Sequence, residues 1–235
     1  MEKPDFSRYA RQTMLPQIGA EGQRRIAAAS VLVVGLGGLG APVCAYLAGA
    51  GVGRLGLCDS DTVSVSNLHR QLLYAEADTG LPKTEAAQRR LSAVSGGTRF
   101  SLHPCGLTEA DAAGIIGGYD LVVDCCDNFA TRYLIDDTCR AARKPWVYGS
   151  IGEFSGQLAL MGGRRGLRYA DLYPGRESLC ARPRAVAGVL GPVPGVIGAM
   201  QAAEALKWLA GMESPLDGAV FSIDMLTFQT SILQF

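Results

Sequence analysis

The residues most able to do chemistry begin with Gly35-Leu36-Gly37-Gly38-Leu39-Gly40, which follows the valine-rich run at 31–34 and opens an amphipathic stretch. Glycines at such a turn let the backbone approach phosphate oxygens, and the start of the following helix offers free N–H groups and a partial positive charge. Asp59 closes the next apolar run. A carboxylate there can accept hydrogen bonds from ribose hydroxyls, and the two features together form a dinucleotide-binding fingerprint. The glycine pattern alone leaves NAD, FAD and ATP open, beside the blander reading of a tight strand–helix turn.

Further along come Asp61, the segment Ser66-Asn67-Leu68-His69-Arg70-Gln71, Lys83 and the pair Asp127-Asn128. Strand ends of a doubly wound sheet converge on one crevice, so two cations, an amide and a further acid gather above the glycine loop. A nicotinamide carrier has little use for Arg70 and Lys83 beside an acid able to hold Mg²⁺. Nucleotidyl transfer needs all three, because negative charge builds on the α-phosphate and on departing pyrophosphate.

The elements that must position these groups are legible as alternation. Residues 31–34, 54–59, 98–104, 121–124 and 146–150 read as strands. Residues 39–50, 83–93, 109–116 and 129–143 read as helices, the last stopped by Pro145. This predicts an α/β fold: a doubly wound, Rossmann-like sheet, mostly parallel. Residues 156–161 read as a further strand and 162–188, rich in Gly, Arg and Pro, as an irregular crossover. A helix over 196–209 lies between Pro194 and Gly211, and strands at 219–223 and 228–233 predict an antiparallel C-terminal extension. The 235 residues suit a single domain. Its parts are an N-terminal helical arm (1–30), a nucleotide-binding core (31–161), the crossover (162–188) and a terminal helix with strands (189–235).

Composition narrows the class. Hydrophobic residues make up 48% and charged residues 19%, and 22 basic residues balance 22 acidic ones. A chain so balanced has no global electrostatic reason to coat nucleic acid or an anionic membrane. No apolar run approaches the roughly 20 residues of a membrane span. The start of the chain carries charges and Pro4 with no apolar signal core, and most of the seven cysteines sit in apolar stretches. The expectation is a cytoplasmic protein with core thiols.

The motifs resemble the E1-like adenylyltransferases of the molybdopterin and thiamin pathways, relatives of the ubiquitin-activating enzymes. The resemblance rests on Arg8-Tyr9-Ala10-Arg11-Gln12, the glycine loop, Asp59-Ser60-Asp61, Ser66 to Gln71, Lys83, Cys126-Asp127-Asn128 and Ala187-Gly188-Val189-Leu190-Gly191-Pro192. It implies that Gly38 contacts the triphosphate and Asp59 the ribose, that Asn67, Arg70 and Lys83 hold phosphates, and that Asp127 ligands Mg²⁺ with Asn128 beside it. Arg11 would reach from a partner subunit into the neighbouring ATP site, which implies a homodimer. The implied substrate is the C-terminal carboxylate of a small β-grasp carrier protein ending in Gly-Gly, converted with ATP to an acyl adenylate and pyrophosphate.

Two departures from the family pattern stand out. Many relatives hold zinc with two Cys-x-x-Cys pairs; here the first pair's place falls at Arg168 and Asp171 and the second would lie past Phe235, so no zinc is expected. Relatives that pass on sulfur place a cysteine where Pro183-Arg184-Ala185-Val186 stands. Cys180, a few residues upstream, is read as an incidental loop cysteine, with a shifted register making it a thiol candidate whose pKa Arg182 and Arg184 would lower. His69 reads as solvated or packed, His103 and Trp146 as structural, and Glu153 as unassigned. The rivals are an NAD- or FAD-dependent oxidoreductase, a non-catalytic subunit of the same fold, and adenylation of a peptide or tRNA-linked carboxylate.

Overall fold

The computed structural model describes residues 7–182 and 188–235. The Pro183-Arg184-Ala185-Val186 segment and Ala187 lie outside them. A 3-10 turn (Ser7–Tyr9) and helices α1 (Ala10–Thr13) and α2 (Gly19–Ala28) lead into β1 (Ser30–Val34). There follow α3 (Gly40–Gly49), β2 (Arg54–Cys58), α4 (Lys83–Val94), β3 (Arg99–His103), α5 (Ala112–Gly117), β4 (Leu121–Asp124), α6 (Phe129–Ala142) and β5 (Trp146–Gly152). The remainder is β6 (Ser155–Met161), α7 (Tyr169–Leu172), α8 (Arg176–Cys180), α9 (Pro192–Leu209), β7 (Ala219–Asp224) and β8 (Gln229–Gln234).

The eight strands among the described residues join one sheet in the order β3-β2-β1-β4-β5-β6-β7-β8. The strands from β3 to β5 pair in parallel, and β6, β7 and β8 extend the sheet antiparallel. Alternate side chains of the central strands enter different cores, as the pleat requires. Val31, Val33, Leu121 and Val123 pack with Val43 and Leu47 of α3 and Ile197 and Ala205 of α9. Leu32, Val34, Val122 and Trp146 pack with Tyr133, Ile135 and Cys139 of α6 on the other face. A sheet covered on both faces explains why these strands read as continuous apolar runs rather than alternating ones.

Three segments differ from expectation. The helix read over 109–116 begins only at Ala112, because the Asp111 carboxylate accepts the Thr108 N–H at 2.8 Å and favours a cap position over the helix interior. Helix α9 starts at Pro192, earlier than the expected residue 196. Pro192 and Pro194 sit in its first turn, where an absent N–H breaks no intrahelical bond. The crossover is ordered in part as α7 and α8, anchored by Tyr169, which is fully buried among Tyr133, Trp146, Tyr148 and Tyr173. Spaced aromatics in a Gly- and Arg-rich stretch carry no periodicity, so the anchor is invisible until the partners are in place. Arg168 and Asp171 begin α7, the Asp171 carboxylate accepting the Arg168 N–H at 3.0 Å. Among the described residues no helix is long and apolar enough to cross a membrane.

Candidate active site

Strand order reverses at β1, with β2 on one side and β4 on the other. Connections therefore leave β1 and β4 toward opposite faces, and a crevice opens beyond their C-terminal ends. A cleft of about 420 Å³ lies there, lined by Gly35, Gly37, Gly38, Asp59, Asp61, Asn67, Arg70, Lys83, Asp127 and Asn128. These residues span more than ninety positions of sequence, and the ends of β1, β2 and β4 bring them together.

The glycine loop is shaped by backbone. Gly35 has φ 92°, and a Cβ there would lie 2.6 Å from the Cys125 carbonyl oxygen. A Cβ on Gly40 would lie 2.1 Å from the Gly35 carbonyl oxygen, so neither of these two positions tolerates a side chain. No side chain among the described residues caps α3. An uncapped helix start beside a cleft is suited to an anion.

Asp59 braces this loop: one carboxylate oxygen accepts the Leu36 N–H at 2.7 Å and the other the Asp61 N–H at 2.8 Å. Lys83 stands at the first position of α4 and is 3% exposed, with its Nζ 2.8 Å from Asp61 Oδ2 and 3.8 Å from Asp59 Oδ2. A cation at a helix N-terminus opposes the helix dipole. Burial adds a desolvation cost, and the two carboxylates compensate both.

Arg70 is held from three sides. It donates to Asn67 Oδ1 at 2.7 Å and to the Ser66 carbonyl at 3.4 Å, and its Nη1 lies 2.8 Å from His69 Nε2. A guanidinium only donates, so His69 accepts through Nε2 and carries its proton on Nδ1. His69 is exposed, in line with the solvated reading, and it is also a partner of Arg70. Asn128 caps α6 by accepting the Thr131 N–H at 2.8 Å, which sets the start of that helix beside Asp127. Asp127 is exposed and lines the cleft.

The geometry does not gather every predicted residue. Arg11, exposed on α1, does not line the cleft of its own chain. Ser66 and Gly40 are also outside the lining, and Cys180 is exposed at the end of α8, away from it. Glu153 forms the β5–β6 turn with φ 37°. The sequence reading assigned no role to several contributors, among them Gln71, Cys105, Arg132 and the Ser150–Ile151 lip. Gln71 belonged to a motif already singled out. Arg132 looks like any polar position of an amphipathic helix, and only its burial marks it. Burial pushes the Cys125 and Cys126 thiols well above the ordinary range, so both stay protonated.

The donor set fits a nucleotide and a hard cation. Gln71 is 4% exposed and lines the cleft, and its buried Oε1 finds no hydrogen-bond partner among the described residues. Mg²⁺ takes one or two carboxylates plus phosphate oxygens and water. Asp127 offers an exposed carboxylate in the lining of the same cleft as the glycine loop.

Comparison with known proteins agrees with this architecture. A family model described as the ThiF family matches residues 9–235. A sulfur carrier protein adenylyltransferase of Thermus thermophilus is 48% identical over 230 residues, covering 95% of this chain and 85% of the relative. The adenylyltransferase and sulfurtransferase MOCS3 of Mus musculus is 43% identical across 96% of this chain; the chain spans about half of that relative, 49% of its length. Among solved structures, the microcin C7 biosynthetic enzyme MccB in complex with N-formylated MccA aligns over 99% of this chain and 73% of its own with a TM-score of 0.87, and PaaA over 100% and 74% with 0.84. Their identities, 21% and 18%, make that a likeness of fold. A chain matched nearly end to end by the family model, with motifs seated around one cleft, belongs to the ThiF family of E1-like adenylyltransferases.

Proposed function

We propose that the chain uses ATP to adenylate the C-terminal carboxylate of a sulfur carrier, a small β-grasp protein ending in Gly-Gly. The observation that carries this is the buried Lys83, set between Asp59 and Asp61 and facing the same cleft as Arg70 and Asp127. Names of relatives at 48% and 43% identity support the same class of reaction.

The glycine loop receives the triphosphate, Asp59 the ribose, and Asn67, Arg70 and Lys83 the phosphate oxygens. Asp61 and Ser66 keep Lys83 and Arg70 in place, and Asn128 sets the backbone that presents Asp127. Mg²⁺, held at Asp127, would neutralise charge on the departing pyrophosphate. Arg11 adds a further cation from the partner of a homodimer, which accounts for its position away from its own chain's cleft.

The incoming carboxylate is already ionised at neutral pH and needs no general base. One of its oxygens bonds to the α-phosphorus as the bond to the bridging oxygen breaks, and pyrophosphate leaves with that electron pair. Catalysis is positioning plus charge neutralisation. A second concavity of about 510 Å³ over β5–β8 shares Ser150 and Ile151 with the cleft and supports approach of an extended tail from that side. Cys180 is not needed for adenylation.

ATP–pyrophosphate exchange with a Gly-Gly-ending carrier tests the reading. Exchange should depend on that carrier and vanish in a variant lacking its last two residues. A protein that binds NADH and ignores ATP would be the oxidoreductase instead.

A further inference from the structure

The ends of β4 and β5 are paired only at Val122 with Trp146 and Val123 with Val147. Beyond that register the two strands run on to Asp127 on one lip of the cleft and to Ser150 and Ile151 on the other. The carbonyls of Asp124, Cys126 and Gly149 lie past the register, buried or half-buried and in need of partners.

Two side chains fill the interval from opposite faces of the sheet. From α6, Arg132 donates to Asp124 Oδ2 at 3.2 Å, to the Cys126 carbonyl at 2.8 Å and to the Gly149 carbonyl at 3.2 Å. From α9, Gln201, with no exposed surface, donates through Nε2 to the Asp124 carbonyl at 2.6 Å and the Val147 carbonyl at 3.5 Å. Gly149 makes room: a Cβ there would lie 2.3 Å from Gln201 Cδ. Asp124 itself accepts the Cys126 N–H at 3.0 Å, so the turn leading to Asp127 is tied to the same ion pair.

A buried ion pair stabilises a fold poorly compared with well-packed apolar side chains, so its presence beneath a cleft calls for another role. We infer that Arg132 and Gln201 form a two-sided clamp that sets the spacing of the β4 and β5 ends and thereby positions Asp127 toward the metal-bound nucleotide. Both are positioning residues, since neither needs to touch a reacting atom. The inference rests on the proposed assignment of Mg²⁺ to Asp127.

The test measures binding of the α,β-methylene analogue of ATP to the full chain by calorimetry, with and without Mg²⁺, alongside thermal unfolding. Arg132→Lys keeps the charge beside Asp124 but cannot span both carbonyls. It should unfold within a few degrees of the parent, bind the metal-free analogue as before, and lose at least fivefold of the affinity that Mg²⁺ adds. Gln201→Leu should do the same to a smaller extent and carries the test if Arg132→Lys does not fold. Ile116→Ala, in the α5 core, should lower the unfolding midpoint and leave the Mg²⁺ enhancement intact. Wild-type enhancement in both clamp variants would overturn the inference. The readout needs no carrier, so failed exchange with every carrier would count against the proposed function alone. A parent protein indifferent to Mg²⁺ would sink the metal assignment and the clamp together.

Discussion

The cleft at the parallel strand ends and the concavity over β5–β8 are of similar size, about 420 and 510 Å³, and could hardly differ more in chemistry. The first gathers Arg70, Lys83, Asp59, Asp61 and Asp127, several of them buried or bonded on two sides. The second is lined by serines, glycines, Ile151, Ile223, Gln157, Gln229 and Thr230, with Asp224 as its charged group. Volume does not distinguish them. Parallel strands point their C-terminal ends, and the loops that follow, at one crevice, whereas antiparallel hairpins return side chains to a surface. The difference teaches that reactive charge collects where topology converges strand ends, and that the larger hollow suits an extended chain rather than a phosphate.

Substitutions can break that contrast. Lys83→Ala and Arg70→Ala should each lower ATP–pyrophosphate exchange by about 10²–10³, the usual cost of removing a preorganised donor at developing charge. Gln229→Ala in the second concavity should leave binding of the ATP analogue unchanged. Equal losses of analogue binding from both regions would abolish the distinction.

Next in size is Gly35→Ala. A side chain at φ 92°, against the Cys125 carbonyl, should destabilise the fold by about 1–3 kcal/mol, read as a lowered unfolding midpoint together with weakened nucleotide binding. Gly166, also at positive φ but with open space around a would-be Cβ, should on replacement lower the midpoint alone.

A smaller effect concerns His103 at the end of β3. Burial, and then Arg54, lowers its pKa below 6.5, so the unfolded chain binds more protons than the folded one as pH falls through that value. Stability contributed by the neutral ring is present above pH 6.5 and declines below it. His103→Gln should flatten that slope in denaturation measured between neutral and mildly acidic pH; an unchanged slope would refute the assignment.

The smallest expected effect belongs to thiols. Cys180→Ala should spare exchange altogether. Alkylation followed by mass spectrometry should modify Cys105 and Cys180, both exposed, before Cys44, Cys125, Cys126 and Cys139, which are buried with raised pKa values. Exchange lost with Cys180 would join adenylation to thiol chemistry.

Much of this was legible beforehand because it is written locally. A valine-rich run closed by glycines, acids at strand ends and the spacing of Asn67, Arg70, Lys83 and Asp127 require only short-range rules to read. So does the alternation that sets sheet order in broad terms. What stayed hidden depends on contacts between distant segments. Tyr169 becomes an anchor only when four aromatics from α6, β5 and the crossover surround it. His69 becomes a partner of Arg70 only when the 3-10 turn at Val65–Asn67 folds.

The amino-acid order by itself determined the class of fold, the glycine loop and the set of charged groups available, because backbone conformation and hydrophobic period are properties of neighbouring residues. Tertiary structure alone decided which polar residues are desolvated together, so that Arg132, Gln201 and Gln71 changed from ordinary helix and loop positions into parts of the cleft and its floor. Hydrogen bonds and ion pairs gain their strength from water excluded by residues far away in the chain, and no local pattern records that exclusion.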